Sequence, residues 1–318
     1  MQPGSLVGFG VVFVVIAWTL SLLSILALRT GRDWLRQLGP AAERRAVELA
    51  AIIPVVLGGV LVTILLARSG LGADHCQEHH HEAHFCLMHG GPWSERIWAV
   101  ALVVLASVIT LARSVVLCMT VIRRRRTIAR LRKVSHHADG IRWLDSPDAV
   151  CFVSGFRHPE IFVSSGAWDV LDDDERAAML AHEHAHIRHR DIARRFAVDM
   201  LLCVGAPLAS VIRKLWDSAT ERLCDARAAA ETGDGESVAS AMVKVCRLGA
   251  RPQASAASFP PSGHAVEERV QAVLEDRSTG DRASRILLIV SAATVLSTVL
   301  VAAAYATTIH DMLEAILG

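Results

Sequence analysis

The stretch MLAHEHAHIRHRD, residues 179–191, sets four histidines, a glutamate and an aspartate in a run that otherwise reads as helix. His182 and His186 are four residues apart, so their imidazoles leave one helix face a single turn apart and can share one cation. Glu183, beside the first of them, is placed to take a proton from a polarised water and deliver it later to a leaving amine. His184 points to another face. His189 reads either as a further donor or as part of a basic last turn that complements the helix dipole.

His182-Glu183-His184-Ala185-His186 is the HExxH arrangement of zinc peptidases. A catalytic zinc needs three protein ligands and an open position, so a third ligand is expected downstream. The stretch SATERLCDARAAA, residues 218–230, offers Glu221 as that ligand, with Asp225 one turn further on the same face to hydrogen-bond a ligand histidine and fix its tautomer. The competing reading of this pair is a solvated acidic face partnered by Arg222 and Arg227. For a developing oxyanion, Arg269 or His264 in FPPSGHAVEERVQAVLE supplies positive charge. A surface ion pair explains Arg269 equally well.

These side chains require a helix to carry them. Asp172 in LDDDE caps its start and Glu175 completes a capping box, with no breaker before Arg190. Ahead of it, residues 141–166 are rich in Val, Ile, Phe and Trp and broken by Pro and Gly, which predicts two or three short strands with a hairpin near 155–159. Residues 196–212 are apolar but interrupted by Asp199, Gly205 and Pro207. Crossing the membrane there would part Glu221 from His182, so a buried or membrane-grazing helix is expected.

Four other stretches, at 6–27, 49–66, 97–119 and 286–306, are long and apolar enough to span a bilayer. Arginines between the first two, the run Arg123, Arg124, Arg125 and Arg126 after the third, and Arg282 and Arg285 before the fourth place the intervening block in the cytoplasm and both termini outside. The first span lacks the basic start and small-residue cleavage site of a removable signal peptide. Five of the seven cysteines fall in a span or on the cytoplasmic side, where thiols stay reduced. With a net charge of +1, direct nucleic-acid binding is not expected.

The ordered set of spans, basic juxtamembrane stretch, HPEIFVSSG, LDDDERAAMLAHEHAHIRHRD and ERLCDARAA resembles the membrane-bound antirepressor metallopeptidases of the BlaR/MecR type over nearly the whole chain. The resemblance implies an α+β membrane protein in which a cytoplasmic zincin-like (gluzincin) metallopeptidase domain is inserted between the third and fourth transmembrane helices. The expected divisions are 1–122, 123–283 and 284–318. It further implies zinc on His182, His186 and Glu221, Glu183 as general base, and a strand containing Ile161, Phe162 and Val163 that binds extended substrate by edge pairing. The substrate would be a cytoplasmic transcriptional repressor. The extracellular penicillin-binding sensor of that type has no counterpart here, so β-lactam sensing does not carry over.

A candidate replacement is the external loop at 69–96, where Cys76, His79, His80, His81, His84 and Cys86 are crowded together. This set suits a zinc or copper site, and a Cys76–Cys86 disulfide suits it as well. Two further functions remain open beside the antirepressor one: a housekeeping quality-control protease of the HtpX type, and a catalytically silent receptor.

Overall fold

The computed structural model describes residues 3–70, 97–205, 208–249, 263–275 and 279–305. Cys76, Cys86 and the histidines between them lie outside these residues. Among the described residues four helices are long and apolar enough to cross a membrane, over Val7–Thr30, Pro40–Ile64, Ile97–Val134 and Asp281–Ala304. They belong to α1 (Pro3–Thr30), α3 (Pro40–Gly70), α4 (Ile97–Val134) and α11 (Asp281–Ala304), with the short α2 (Arg32–Gln37) joining the first two. The second begins at Pro40 rather than at residue 49. Glu43, Arg44 and Glu48, whose charge argued for a later start, are buried.

A four-stranded sheet follows α4, made of β1 (His136–Ala138), β2 (Ile141–Leu144), β3 (Cys151–Ser154) and β4 (Glu160–Ser164) in the order β1-β2-β4-β3. The first hairpin turns through Asp139 and Gly140, both at positive φ (53° and 77°), as tight β-hairpins require. β4 runs parallel to β2 and antiparallel to β3. This corrects the edge-pairing expectation: Ile161, Phe162 and Val163 lie on a central strand whose main chain is paired on both sides, and their side chains are buried. A run of apolar residues marks a strand covered on both faces, and leaves open whether its main-chain edge is free. Among the described residues the edges are β1 and β3.

After the short α5 (Ser165–Asp169), α6 (Asp173–His189) carries the HExxH residues. Asp172 Oδ1 accepts from the Glu175 amide at 3.0 Å and Glu175 Oε2 accepts from the Asp172 amide at 3.0 Å, closing the capping box. Glu175 also accepts from Ser240 and Lys244 of α9 (Gly235–Gly249), so the cap doubles as a joint between two helices. At the other end Arg190 adopts the left-handed conformation (φ 53°, ψ 42°), and α7 (Asp191–Gly205) begins at once. The expected 196–212 helix is thus divided between α7 and α8 (Ala209–Thr232).

Val198 and Leu202 of α7 and Ile212 and Trp216 of α8 share one apolar cluster with Ile25 and Leu28 of α1, Leu35 of α2 and Val47, Ala50 and Ala51 of α3. The opposite face of α7 shows Phe196, Met200 and Val204 at four-residue spacing, all exposed. Arg113 of α4 donates to the Leu202 carbonyl at 3.2 Å, so α7 lies against a candidate span. The last layer is α10 (Gly263–Leu274), which packs on α8 and α9. Just before α11, the Ala41 amide donates to the Thr279 carbonyl at 3.0 Å, and Gly280, at φ 75°, lets the chain pass close to Leu38 and Gly39.

The capping box yields a direct expectation. Asp172→Ala should lower unfolding stability by about 1 kcal/mol, measured by denaturant titration of the detergent-solubilised chain, while metal content stays unchanged.

Candidate metal centre

α6 and α8 pack against each other, and this contact brings together residues far apart in sequence. His182 Nε2 and His186 Nε2 are 3.2 Å apart. Glu221 of α8 faces both, with Oε2 at 3.7 Å from His182 Nε2 and Oε1 at 3.7 Å from His186 Nε2. Ligand atoms about 2.0–2.1 Å from a tetrahedral zinc stand roughly 3.3 Å from one another. The observed separations bracket that value, so the three side chains fit one zinc ion. His184 is exposed, and His189 does not join the group.

The far side of each imidazole is anchored. His182 Nδ1 donates to Asp225 Oδ1 at 2.9 Å, and His186 Nδ1 donates to Asp191 Oδ2 at 2.9 Å. A carboxylate on Nδ1 keeps the proton there and leaves the Nε2 lone pair directed at the cation position. Each aspartate is held in turn by an arginine. Arg269 of α10 forks onto Asp225, Nε to Oδ2 at 2.7 Å and Nη2 to Oδ1 at 2.8 Å. Arg44 of α3 reaches Asp191 Oδ1 at 2.8 Å.

Burial alone would raise the Asp225 carboxyl, but the Arg269 guanidinium beside it holds it well below the usual carboxylate range. Burial opposes protonation of His186 too, yet its hydrogen bonds with Asp191 and Cys224 push it up to about 12 when no cation is present. Where no cation is bound, these contacts favour the protonated form of His186. Cys224, 3.3 Å from His186 Nδ1, also converges with His186 and Asp191. Burial pushes its thiol up to about 12, and Asp191 is already engaged by Arg44, which makes this trio a support for the ring rather than a second cradle.

Glu183 is buried on α6 beside β3. Burial, and then the charge of the nearby Glu183 carboxylate, raise the Cys151 thiol well above its ordinary pKa. Arg269 departs from the sequence expectation. Its fork is taken up by Asp225, and Nη1 lies 3.2 Å from Glu221 Oε2, so it holds the ligand layer in place rather than presenting a free charge to an oxyanion. Nor is it a surface ion pair, being mostly buried. His264 lies in the first turn of α10, with its side chain outside the described residues. The sequence reading missed Asp191, Arg44, Cys224 and Cys151. Asp191 had a legible signal as the acid that closes the quoted stretch; the others had none.

With this geometry in place, the chain can be compared with known proteins. Residues 121–226 match the family model of Peptidase family M48. The match begins near the end of α4, covers the sheet, α6 and α7, and ends just past Asp225, about a third of the chain. A protein described as Protease HtpX homolog from Acidiphilium cryptum (strain JF-5) is 31% identical over 134 residues, covering 32% of this chain and 47% of that protein. The chain therefore spans about half the length of the curated relative it matches. No solved structure matches. Each match is a likeness of part of the chain to a peptidase, and neither singles out the BlaR/MecR type.

The raised His186 pKa sets the pH dependence of metal uptake. A histidine whose folded pKa lies above its unfolded value stabilises the metal-free fold fully below the unfolded pKa, and this contribution fades as pH rises through the folded one. Cation binding must expel that proton. Zinc affinity should therefore rise with pH through the neutral range, with proton release on binding, which calorimetry in buffers of different ionisation enthalpy would register as a buffer-dependent heat.

Proposed function

We propose that the chain is a membrane-embedded zinc endopeptidase with its active site at the cytoplasmic face. The observation that carries this is the convergence of His182, His186 and Glu221, with both rings anchored at Nδ1 and Glu183 adjacent. Zinc held there would supply Lewis acidity toward the scissile carbonyl and the attacking water. Glu183 takes the proton of that water and hands it to the leaving amine. Asp225 and Asp191 orient the ligand rings, and Arg269 neutralises the acidic layer behind them. Extended substrate adds to the sheet at β3, the edge strand that carries Cys151 beside Glu183.

In this reading the basic flanks keep the domain inside the cell, with both termini and the 69–96 loop outside. An external signal, a metal at Cys76, Cys86 and the neighbouring histidines or the redox state of the two cysteines, would reach the site through the spans. The order of spans and motifs supports cleavage of a cytoplasmic repressor. The likeness to a protein described as Protease HtpX homolog favours a second reading, turnover of membrane proteins. Comparing protein termini in cells with the wild-type chain and with Glu183→Gln separates the two: new termini in a DNA-binding repressor support the first, and new termini in membrane proteins the second.

The role assignment itself is tested on purified protein. Glu183→Gln should keep zinc and lose proteolysis by at least two orders of magnitude, whereas His186→Ala should lose both, read by metal analysis and cleavage of an unfolded protein. Equal zinc loss in the two variants would overturn the assigned roles. Reporter fusions at Thr127 and near Gly72 should report cytoplasm and exterior respectively; the reverse pattern would invert the topology.

A further inference from the structure

α3 is apolar enough to span a bilayer, yet its first turns bury three charges, Glu43, Arg44 and Glu48. Charges at such positions are costly and persist where they are paired for a purpose. Each finds a partner in the peptidase domain. Glu43 Oε1 accepts from Arg222 Nη2 at 2.5 Å, next in sequence to Glu221. Glu48 Oε1 accepts from Arg194 Nη1 of α7 at 3.1 Å. Arg44 Nη1 donates to Asp191 Oδ1 at 2.8 Å, and the other oxygen of that carboxylate accepts from His186 Nδ1 at 2.9 Å. The Arg44 and Asp191 side chains are 7% and 6% exposed, so water screens this pair little.

The two histidines therefore use one device with arginines of different origin. Behind His182 the arginine comes from α10, within the soluble layer. Behind His186 it comes from a candidate membrane span. We propose that Arg44 is a positioning residue of the metal centre: from α3 it holds Asp191 in place, Asp191 fixes His186 as the Nδ1–H tautomer with Nε2 toward the cation, and the seating of α3 sets cation affinity. This rests on His182, His186 and Glu221 being the ligands. Arg44 reaches the carboxylate behind His186 directly, whereas the carboxylate behind His182 is held by Arg269 of α10, so the seating of α3 bears most directly on one ligand.

The test uses the full-length chain in lipid nanodiscs, with zinc affinity measured by competition against a chromophoric chelator and ligand geometry by the visible spectrum of the cobalt(II) form. The variants are His186→Ala, Arg44→Met, Arg44→Lys and Arg194→Met. The last breaks another bridge between α3 and α7 without touching Asp191. Arg44→Met should weaken zinc roughly 10- to 100-fold and alter the cobalt spectrum, Arg44→Lys should recover part of the affinity, and Arg194→Met should bind as wild type. Wild-type affinity and spectrum in Arg44→Met would overturn the proposal while leaving the ligand assignment intact. Equal weakening in Arg194→Met would overturn it too, because loss of helix docking would then explain the effect. If the wild-type chain binds no zinc, or His186→Ala binds as tightly as wild type, the ligand assignment fails and the proposal with it.

Discussion

A carboxylate on each imidazole and an arginine on each carboxylate: the whole site depends on this double anchoring. Two rings whose Nε2 atoms face each other at 3.2 Å would otherwise be free to turn away from the position they share. Asp225 and Asp191 remove that freedom, but as buried carboxylates they need cationic partners of their own. Arg269 and Arg44 meet that need, and each ties another helix to the site. Helix packing follows from charge satisfaction: α10 is held to α8 through Asp225, and α3 to α7 through Asp191.

The same logic explains why the candidate spans and the metal centre do not separate cleanly. A division at 122/123 suits the composition, but the apolar cluster around Trp216 and Ile212 draws in Ile25, Leu28, Leu35 and Val47 from before that point. The end of α1 and the first turns of α3 form part of the floor on which α7 and α8 stand. α7 faces two ways, with Val198 and Leu202 toward that floor and Phe196, Met200 and Val204 exposed.

Much of the site could be read from spacing because helices are periodic. The four-residue step from His182 to His186 and from Glu221 to Asp225 translates directly into a shared face, and the structure places these side chains together. The capping box at Asp172 and Glu175 was legible for the same reason: its partners are three residues apart. The limits were set by non-local geometry. No local signal distinguishes a central from an edge strand in an apolar run, so Ile161, Phe162 and Val163 pointed to the wrong strand for edge pairing. β1 lies ahead of the apolar run that marks the other strands, and its signal is the Asp139–Gly140 turn rather than any alternation of its own three residues. Arg44 lies among the arginines expected to flank the second span, and only the tertiary fold shows it buried.

The position of Arg269 bears on the timing of activity. Both ligand histidines, Glu221 and Asp225 are synthesised before residue 226, but the guanidinium that neutralises Asp225 lies more than forty residues later, and Asp281, which pairs with Arg227 of α8, later still. While Asp225 is buried without its partner it is an uncompensated charge, and the α6–α8 contact is correspondingly weak. A nascent chain whose histidine helix has already emerged from the ribosome cannot yet hold its centre firmly. The centre tightens once α10 has docked, and α11 follows it directly in the chain. Order in the chain thus sets an order of assembly: the helices that carry the candidate ligands come first, and the residues that neutralise the charges buried between them come after.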